Sequence, residues 1–428
     1  MYCGGCFRDN ALVAALRKLG HDTLMLPLYL PLTLDEKDQS AGTPIFFSGV
    51  NVFLEQKFPW FRRAPDWLHR ALASPKLLGL LGGMAGKTRA EDVGELTISM
   101  LRGEEGNQAR EVDELVTWLK ANHRCDVISL SNVLLAGMAR RLKSELNAPV
   151  VCMLQGEDTF LDGLPAPVRA AAWQVLAERA RDIDLFLAPS RYFGELMARR
   201  MNVPMDRIRI VHNGISLDGY SVQGPRSKVQ GQPVLGYFAR MCEVKGLGLA
   251  VDVFIELKRH GRVPGLQLHV GGGCGPGDEP FVEEQKGRLE AAKVLSDVKF
   301  FPNVSRAEKI SFLESLDVFC TPAMYGEAFG LYVIEALAAG VPVVQPRHAA
   351  FPEIIEKTGG GLIAEPDVAS LASACEELLL NPARAHTLGE AGRAVVREHF
   401  NEARMAREVL AAFESATNFK SPIANRQS

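Results

Sequence analysis

The feature that most constrains the fold is a regular alternation of short apolar runs with amphipathic stretches of helical length. In the first half the strand-like runs are DTLMLPL, CDVISL, VVCML, LFLA and IRIV. The intervening stretches predict helices over 9–19, 108–121, 132–145, 166–181 and 191–200. Strands separated by helices form parallel sheets covered on both faces, so the sequence predicts a doubly wound α/β fold.

A second series of the same kind follows a polar stretch, SVQGPRSKVQGQ at 221–232, which we interpret as a linker. Its strand-like runs are PVLGYFA, LQLHV, VKFF, VFCTP, VPVVQ and GLIA. Helices are predicted from about Lys245 and over 280–293, 306–316, 329–339 and 350–357. The 428 residues exceed one ordinary core, so we expect two Rossmann-like domains facing a cleft. The expected boundaries are 1–222 and 223–400, with a helix at 401–418 that packs back on the first domain.

The first ten residues, MYCGGCFRDN, place a glycine pair directly before a helix. Glycine loops that hold phosphate normally follow a buried strand, and here almost nothing precedes the glycines. We therefore expect the first strand of the domain to be missing, with Met1 internal to the true reading frame or the chain truncated. The Cys3–Cys6 spacing fits a glycine turn better than a redox motif, because no strand precedes it.

Residues 45–101 break the alternation and mix aromatic, basic and leucine residues. Such a segment suits a membrane interface, but it is also typical of short helices that cover an ordinary core. We favour an insertion of short helices over peripheral membrane contact.

Composition excludes several function classes. A net charge of −3 with 23% charged residues argues against a nucleic-acid partner. The cysteines are scattered through the chain, which predicts reduced thiols. Arg8 and Asp9 interrupt the first ten residues and no long apolar run follows, so we expect no signal peptide and a cytoplasmic protein.

Three short motifs resemble known ligand-binding motifs: a phosphate loop, a dinucleotide-binding loop and a metal-binding aspartate pair. GGMAGKT at 82–88 lacks the first glycine of a phosphate loop, and HVGGGCGPGD at 269–278 fails the dinucleotide fingerprint but faces the expected cleft. Asp182 and Asp184 lie where aspartates usually serve turns. No metal site is predicted.

The residues that point to a ligand lie in the second series. Arg240 ends a strand and Lys245 begins the next helix, so both cations are placed to bind a diphosphate. Farther on, the small first turn of AFGLYVIEALAAG is expected to leave N–H groups free for an anion, those of Phe329, Gly330 and Leu331.

Glu327 and Glu335 lie on either side of that turn and offer acceptors to hydroxyl groups. A diphosphate between two polyhydroxylated rings would satisfy all of these groups. The sequence therefore predicts a nucleotide-sugar site.

These motifs resemble the GT-B glycosyltransferases of family four. The resemblance rests on Glu327 and Glu335 with seven residues between them, Arg240 with Lys245-Gly246, VHNGI at 211–215, APS at 188–190 and the amino-terminal glycine run. It implies a GT-B architecture and a retaining, metal-independent transfer from a nucleotide-diphosphate sugar, with no other cofactor. The acceptor could be a carbohydrate, a lipid or a small molecule.

The resemblance also implies roles for individual residues. Arg240 and Lys245 would hold the diphosphate, Glu327 the transferred sugar and Glu335 the ribose. Donor binding would also involve Gly5, Asn213 and the amides of Phe329, Gly330 and Leu331. Two departures concern the pockets: Ala349-Ala350 and Asn303 stand where the family often has glycine.

The acceptor side departs from the family at one position. Where many members have a histidine this chain has Gln155, which cannot act as a base. We expect that Glu157 or Asp158 contributes to acceptor handling, or that no protein base is needed. The alternatives to a transferase are a sugar-nucleotide epimerase of the same shape and a non-catalytic nucleotide-sugar binder.

Overall fold

A computed structural model describes residues 4–28, 37–40, 42–47, 54–56, 58, 61, 90–221 and 231–418. The phosphate-loop-like run at 82–88 and Cys3 lie outside the described residues. So do most of the predicted insertion at 45–101 and of the predicted linker.

The N-terminal part is a four-stranded parallel sheet in the order β1-β2-β3-β4. Its strands are β1 (Ile128–Leu130), β2 (Val150–Met153), β3 (Leu185–Ala188) and β4 (Ile208–Ile210). Its helices are α1 (Gly4–Lys18), α2 (Ala90–Arg102), α3 (Ala109–Asn122), α4 (Ala139–Leu146), α5 (Glu157–Asp162), α6 (Ala166–Arg179) and α7 (Arg191–Met201).

The C-terminal part is a six-stranded parallel sheet in the order β10-β9-β8-β5-β6-β7. Its strands are β5 (Val234–Phe238), β6 (Gln267–Gly272), β7 (Val298–Pro302), β8 (Val318–Phe319), β9 (Val343–Pro346) and β10 (Gly361–Ala364). Its helices are α8 (Leu247–His260), α9 (Glu279–Ala291), α10 (Arg306–Glu314), α11 (Leu331–Ala338), α12 (Phe351–Thr358), α13 (Val368–Leu380) and α14 (Pro382–His399). The last helix among the described residues is α15 (Glu402–Asn418).

Burial explains why the strands read as continuous apolar runs. All four residues of β2 and all four of β9 are buried, because helices cover both faces of each parallel sheet. Two large apolar clusters form around the two sheets. The predicted class, two doubly wound α/β units, is confirmed.

Several predicted elements are wrong in detail. DTLMLPL forms no strand, and its Pro27 lacks the N–H that a ladder needs. Helix α1 begins at Gly4 rather than in the second turn, so the glycine pair is helical and tertiary packing overrides its poor helix propensity. The predicted helix 132–145 is a 3₁₀ turn, Val133–Met138, followed by α4. Helices α13 and α14 were not predicted.

The C-terminal helix packs on the N-terminal sheet. Met405, Ala406 and Val409 of α15 lie in one apolar cluster with Leu12 and Leu16 of α1, together with buried residues of β2 and β3. Lys18 and Glu402 form an ion pair 2.9 Å long between the two helices. Within the described ranges, every helix is too short or too polar to cross a lipid bilayer.

The same helix explains the glycine of the VHNGI run. Ile215 donates its N–H to Phe400 O and accepts from Glu402 N, which makes a short parallel bridge at the point where the chain returns. A Cβ on Gly214 would lie 2.3 Å from the carbonyl oxygen of Asn401, so only glycine fits this crossing.

Met405 tests how strongly α15 is fixed. Its side chain is 1% exposed, and its sulfur accepts a hydrogen bond from Gly214 N at 3.2 Å. We expect Met405→Ala to lower the free energy of unfolding by about 2–5 kcal/mol, the usual cost of a large-to-small core substitution. Arg407→Ala, on the exposed face of the same helix, is the matched control. Equal urea midpoints for the two variants would contradict this packing.

Candidate functional site

The carboxyl ends of strands from both sheets face a cleft of about 600 Å³. Strand β5 lies between β6 and β8, so the chain reverses its direction of crossing there, and ligands of doubly wound sheets bind at such a point. Of the predicted site residues, ten line this cleft: Gly5, Gln155, Asn213, Arg240, Lys245, Glu327, Phe329, Gly330, Leu331 and Glu335. Glu157 and Asp158 do not line it.

A tight turn after β5 places Lys245 in the cleft. Residues Glu243–Lys245 form a 3₁₀ turn, and Gly246 follows with a left-handed φ of +77°. A Cβ on Gly246 would lie 2.2 Å from the carbonyl oxygen of Pro322, so only glycine lets this turn approach the loop after β8.

Lys245 binds Glu327, which comes from that neighbouring loop. The Lys245 Nζ lies 2.9 Å from Glu327 Oε2 and also contacts the hydroxyl of Tyr325. The hydroxyls of Tyr325 and Tyr332 donate to the same Oε2 at 2.6 and 3.0 Å. The three hydrogen bonds to Glu327 all end on Oε2, and Oε1 takes no part in them.

The electrostatics of this cluster keep Glu327 ionised. Burial alone would raise the pKa of Glu327, but the Lys245 ammonium and the tyrosine hydroxyls outweigh it and hold the pKa below its ordinary value of 4.5. Burial and the Glu327 charge raise the pKa of both Tyr325 and Tyr332, so these phenols remain hydrogen-bond donors. The carboxylate is therefore fixed in charge and direction.

Glu335 is paired with a cation that the sequence reasoning missed. Lys309 of α10 lies 2.9 Å from Glu335 Oε1, and both residues line the cleft. The helix that carries Glu335 starts at Leu331, two residues later than predicted, with Gly330 at its N-cap in a left-handed conformation. The helix start, with its positive dipole end, lies in the cleft wall beside Glu327.

Arg240 is held by a buried carboxylate. Its Nε lies 3.0 Å from both oxygens of Asp278, and its Nη2 lies 2.9 Å from Asp278 Oδ1. The glycine loop that follows β6 carries Asp278, so this loop, which fails the dinucleotide fingerprint, nevertheless contributes to the site.

Gly5 and Gln155 meet on the N-terminal wall of the cleft. A Cβ on Gly5 would lie 1.6 Å from Gln155 Oε1, so the absence of a side chain allows this approach. The amide of Gln155 donates to Ser131 O, and Arg8 Nη2 donates to the same carbonyl oxygen at 3.1 Å. Gln155 is therefore part of a fixed wall.

Glu157 serves the loop rather than the cleft. Its Oε1 accepts from Val133 N at 2.9 Å, and its Oε2 accepts from Gln155 N and Gly156 N at 2.8 and 3.0 Å. Burial raises the pKa of Glu157, and the backbone N–H groups oppose that rise. These contacts indicate a structural carboxylate and not an acceptor-facing one.

Asp158 lies against the loop that carries Glu327. A Cβ on Gly326 would be 3.3 Å from Asp158 Oδ2 and 3.1 Å from the Tyr192 hydroxyl. Asp158 is buried, and its Oδ1 has no hydrogen-bond partner among the described residues. Burial is the main reason that the pKa of Asp158 rises from its ordinary 3.8 to about 6.

Three further contacts join the domains beside the loop that carries Glu327. Ser190, from the APS motif, caps α7 by accepting from Phe193 N and donates its hydroxyl proton to Ala328 O at 2.7 Å. Glu353 of α12 accepts from the first N–H groups of α7, those of Arg191 and Tyr192, at 2.9–3.2 Å. His212 Nε2 lies 3.0 Å from the same carboxylate.

No metal site accompanies this cluster in the part of the chain that the structure describes, where no three His, Cys, Asp or Glu side chains are grouped closely enough. Asp184, weighed above as a chelator, accepts from Val150 N at 2.8 Å and pairs with Lys143 at 2.5 Å. It therefore has the structural role expected of it.

Sequence reasoning missed Tyr325, Tyr332, Lys309 and Asp278. Each lies within a segment that the sequence analysis had already named. Tyr325 and Tyr332 are two and five residues from Glu327, Lys309 is in the predicted helix 306–316, and Asp278 ends the glycine loop. The signal that could have found them is the expectation that a buried charge needs a partner.

Comparison with known proteins matches two families to the two halves of the chain. Residues 223–395 match the family described as Glycosyl transferases group 1, and residues 90–218 match Glycosyltransferase Family 4. A phosphatidyl-myo-inositol mannosyltransferase of Mycobacterium leprae is 28% identical over 219 residues, which are 50% of this chain and 55% of that protein. The matched region thus spans about half the length of the curated relatives.

Solved structures share the fold. Sucrose-phosphate synthase from Thermosynechococcus elongatus superposes with a TM-score of 0.59 at 21% identity, over 72% of this chain and 78% of that one. Anabaena HepE in complex with UDP gives a TM-score of 0.63 at 17% identity, over 73% and 84%. Both have the GT-B arrangement that the sequence predicted.

Asp158 gives a pH-dependent prediction. Since its pKa is about 6 in the folded chain and about 3.8 in an unfolded one, the folded state binds more protons between these values, and the ionised carboxylate destabilises the fold above pH 6. We expect Asp158→Asn to stabilise the protein at pH 8 by up to about 3 kcal/mol, with the gain vanishing as the pH falls toward 4. Urea titrations at both pH values, with exposed Glu195→Gln as control, measure this; a pH-independent difference would contradict it.

Glu353 tests the contact between the domains. Its pKa lies below 4.5, because the His212 hydrogen bond and the α7 N–H groups outweigh its burial. Its stabilising effect is complete above pH 4.5 and is lost as the pH falls below that value. We expect Glu353→Ala to cost about 1–2 kcal/mol at pH 7, as loss of a helix cap does, and to raise the radius of gyration in small-angle scattering. Glu356→Ala, exposed on the same helix, should change neither quantity.

Proposed function

We propose that the chain is a retaining, metal-independent glycosyltransferase, since residues 223–395 match the glycosyl transferases group 1 and residues 90–218 match Glycosyltransferase Family 4. In this proposal it moves a hexosyl unit from a nucleotide-diphosphate sugar to an acceptor. The acceptor is a carbohydrate, a lipid or a small molecule.

One observation carries the proposal. Arg240 and Lys245 come from the loop after β5, whereas Glu327 and the start of α11 come from the loop after β8, yet all line the same cleft. Two cations beside a helix N-terminus suit a diphosphate, and the two carboxylates beside them suit sugar hydroxyls.

The chemistry follows from where charge develops. The bond between the anomeric carbon and the β-phosphate oxygen breaks, and negative charge builds on the departing diphosphate. Lys245, Arg240 and the first N–H groups of α11 are fixed before the reaction and stabilise that charge. Preorganised donors of this kind are each worth roughly 10²–10³ in rate.

The two glutamates orient the donor. Glu327 Oε2 is held by Lys245, Tyr325 and Tyr332, and Oε1 would accept from a hydroxyl of the transferred sugar. Glu335, held by Lys309, would accept from the ribose hydroxyls. Because both carboxylates are anchored, they bind a sugar without losing much conformational freedom.

The acceptor side supports a transfer without a protein base. Gln155 lies where a base could stand but cannot take a proton, and Glu157 is used by backbone N–H groups. In the proposed reaction the acceptor oxygen bonds to the anomeric carbon on the face that the diphosphate leaves. Because the new bond forms on the same face as the broken one, the anomeric configuration is kept. The acceptor proton passes to a phosphate oxygen of the departing diphosphate.

The test is to incubate the protein with UDP-glucose and GDP-mannose and a panel of sugar, polyol and phospholipid acceptors. Release of nucleoside diphosphate that depends on an acceptor supports transfer. Epimerised donor without release of nucleoside diphosphate supports the epimerase, and binding without turnover supports the non-catalytic nucleotide-sugar binder. The anomeric coupling constant of the product in NMR distinguishes retention from inversion.

Lys245 gives the sharpest variant. We expect Lys245→Met to lower kcat about 10²–10³-fold, because it removes positive charge at the leaving group and one of the three contacts that hold Glu327. Lys286→Ala removes an exposed lysine that pairs with Glu283 outside the cleft and should leave kcat unchanged. A kcat of Lys245→Met equal to that of the wild type would contradict the proposed mechanism.

A further inference from the structure

The Arg240 side chain is unusual in being both exposed and fixed in direction. It is 64% exposed, whereas the side chain of Asp278 that holds it is 7% exposed. The contacts to Asp278 use Nε and Nη2, which form one edge of the planar guanidinium. The opposite edge, which carries Nη1, is left for a ligand in the cleft.

Asp278 is fixed in turn by the glycine loop. Its Oδ2 accepts from Gly275 N at 3.0 Å, and its own N–H donates to Gly275 O at 2.8 Å. These two bonds close a turn, so the carboxylate position follows the position of residues 274–275.

Asn303 fixes that part of the loop from the neighbouring strand. Its Oδ1 accepts from Cys274 N at 2.9 Å, and its Nδ2 donates to Cys274 O at 2.8 Å. Its backbone N–H donates to Gly272 O, and it has a left-handed φ of +54°, which asparagine tolerates better than most residues. A loop with glycines at 271–273, 275 and 277 has little stiffness of its own, so this clamp supplies it.

Building on the proposed function, we propose that Asp278 is a positioning residue that aims Arg240 at the donor diphosphate. Asn303 acts through the glycine loop to hold Asp278 in place. The Asp278 carboxylate offsets part of the Arg240 charge, so it does not strengthen the electrostatic attraction for a diphosphate. Its contribution is to orient Arg240, because a guanidinium that is ordered before binding loses less conformational freedom when the diphosphate binds.

The pair persists over the working pH range. Burial would raise the pKa of Asp278, but the hydrogen bonds from Arg240 and Gly275 N hold it below its ordinary value. Asp278 therefore remains an ionised carboxylate above pH 4, so the orientation of Arg240 does not depend on pH near neutrality.

The test uses three variants of the full chain. Asp278→Asn removes the two-oxygen acceptor at constant size, and Asn303→Gly removes the clamp while allowing the left-handed backbone. Glu283→Gln is the matched control, because it removes an exposed charge from the same helix, α9. Calorimetry gives the dissociation constants of UDP and GDP, and donor kinetics separate kcat from KM.

We expect Asp278→Asn to raise, about tenfold, the dissociation constant of whichever nucleoside diphosphate the wild type binds more tightly. We also expect it to lower kcat about 10²-fold, as a misplaced catalytic group does. Asn303→Gly should shift both in the same direction by less. Glu283→Gln should match wild type, and the melting temperatures of Asp278→Asn and wild type should agree within a few degrees, which a purely structural role would not give.

The opposite results are equally clear. If Asp278→Asn binds the nucleoside diphosphate as tightly as wild type or more tightly, Asp278 is a competing anion and the proposal is overturned. Failure of the proposed function would look different, since wild type would then release no nucleoside diphosphate from any donor. The binding constants of Asp278→Asn still report the orientation of Arg240 in that case.

Discussion

The geometry of the cleft depends on the pairing of opposite charges, above all on the buried contact between Lys245 and Glu327. An unpaired carboxylate at the depth of Glu327 would cost several kcal/mol, so Lys245, together with the hydroxyls of Tyr325 and Tyr332, keeps that charge in place. The same pattern is repeated around the cleft wall in three pairs: Lys245 with Glu327, Arg240 with Asp278 and Lys309 with Glu335. Within these three pairs the charges balance, while Arg8 and Arg306 add further positive charge to the cleft lining. An anion that enters the cleft would therefore be attracted by a net positive wall and would be oriented by the N–H directions that the carboxylates leave unused.

The parallel sheets bring these partners together from distant parts of the sequence. Arg240 and Lys245 follow β5, Glu327 follows β8 and Asp278 follows β6, and these three strands are neighbours in the order β8-β5-β6. The carboxyl ends of parallel strands share one edge of a sheet, so residues about 80 positions apart meet within hydrogen-bonding distance. Two glycines allow the close approach of the loops, Gly246 at the backbone of Pro322 and Gly272 at the carbonyl oxygen of Ala239.

Sequence patterns predicted the fold well and the cleft in part. Apolar runs and helical periodicity give the βα order, because they record which faces are buried. Arg240, Lys245 and Glu327 stand out by their positions after strands, and Glu335 by its position in the helix that follows Glu327. The partners of these residues did not stand out, because which carboxylate meets which cation is decided by tertiary contact and leaves no local pattern. The amino-terminal glycine pair shows the same limit: its low helix propensity predicted a loop, whereas packing against Gln155 accompanies a helical turn at Gly5.

The contact between the domains and the shape of the donor cleft are parts of one network. Ser190 donates to the carbonyl oxygen of Ala328, the residue next to Glu327, while Ala350 N, three residues before Glu353, donates to Glu327 O. Glu353 itself binds the start of α7, the helix that Ser190 caps. A separation of the domains would break the bond from Ser190 to the loop that presents Glu327 and the bonds from Glu353 to α7, whereas the bond from Ala350 to Glu327 lies within the C-terminal domain. A ligand that holds Glu327 together with the N-terminal wall would favour the closed arrangement. In the proposed transferase, donor binding and domain closure would be coupled with equal strength in both directions, because coupling between two equilibria is reciprocal by thermodynamic linkage.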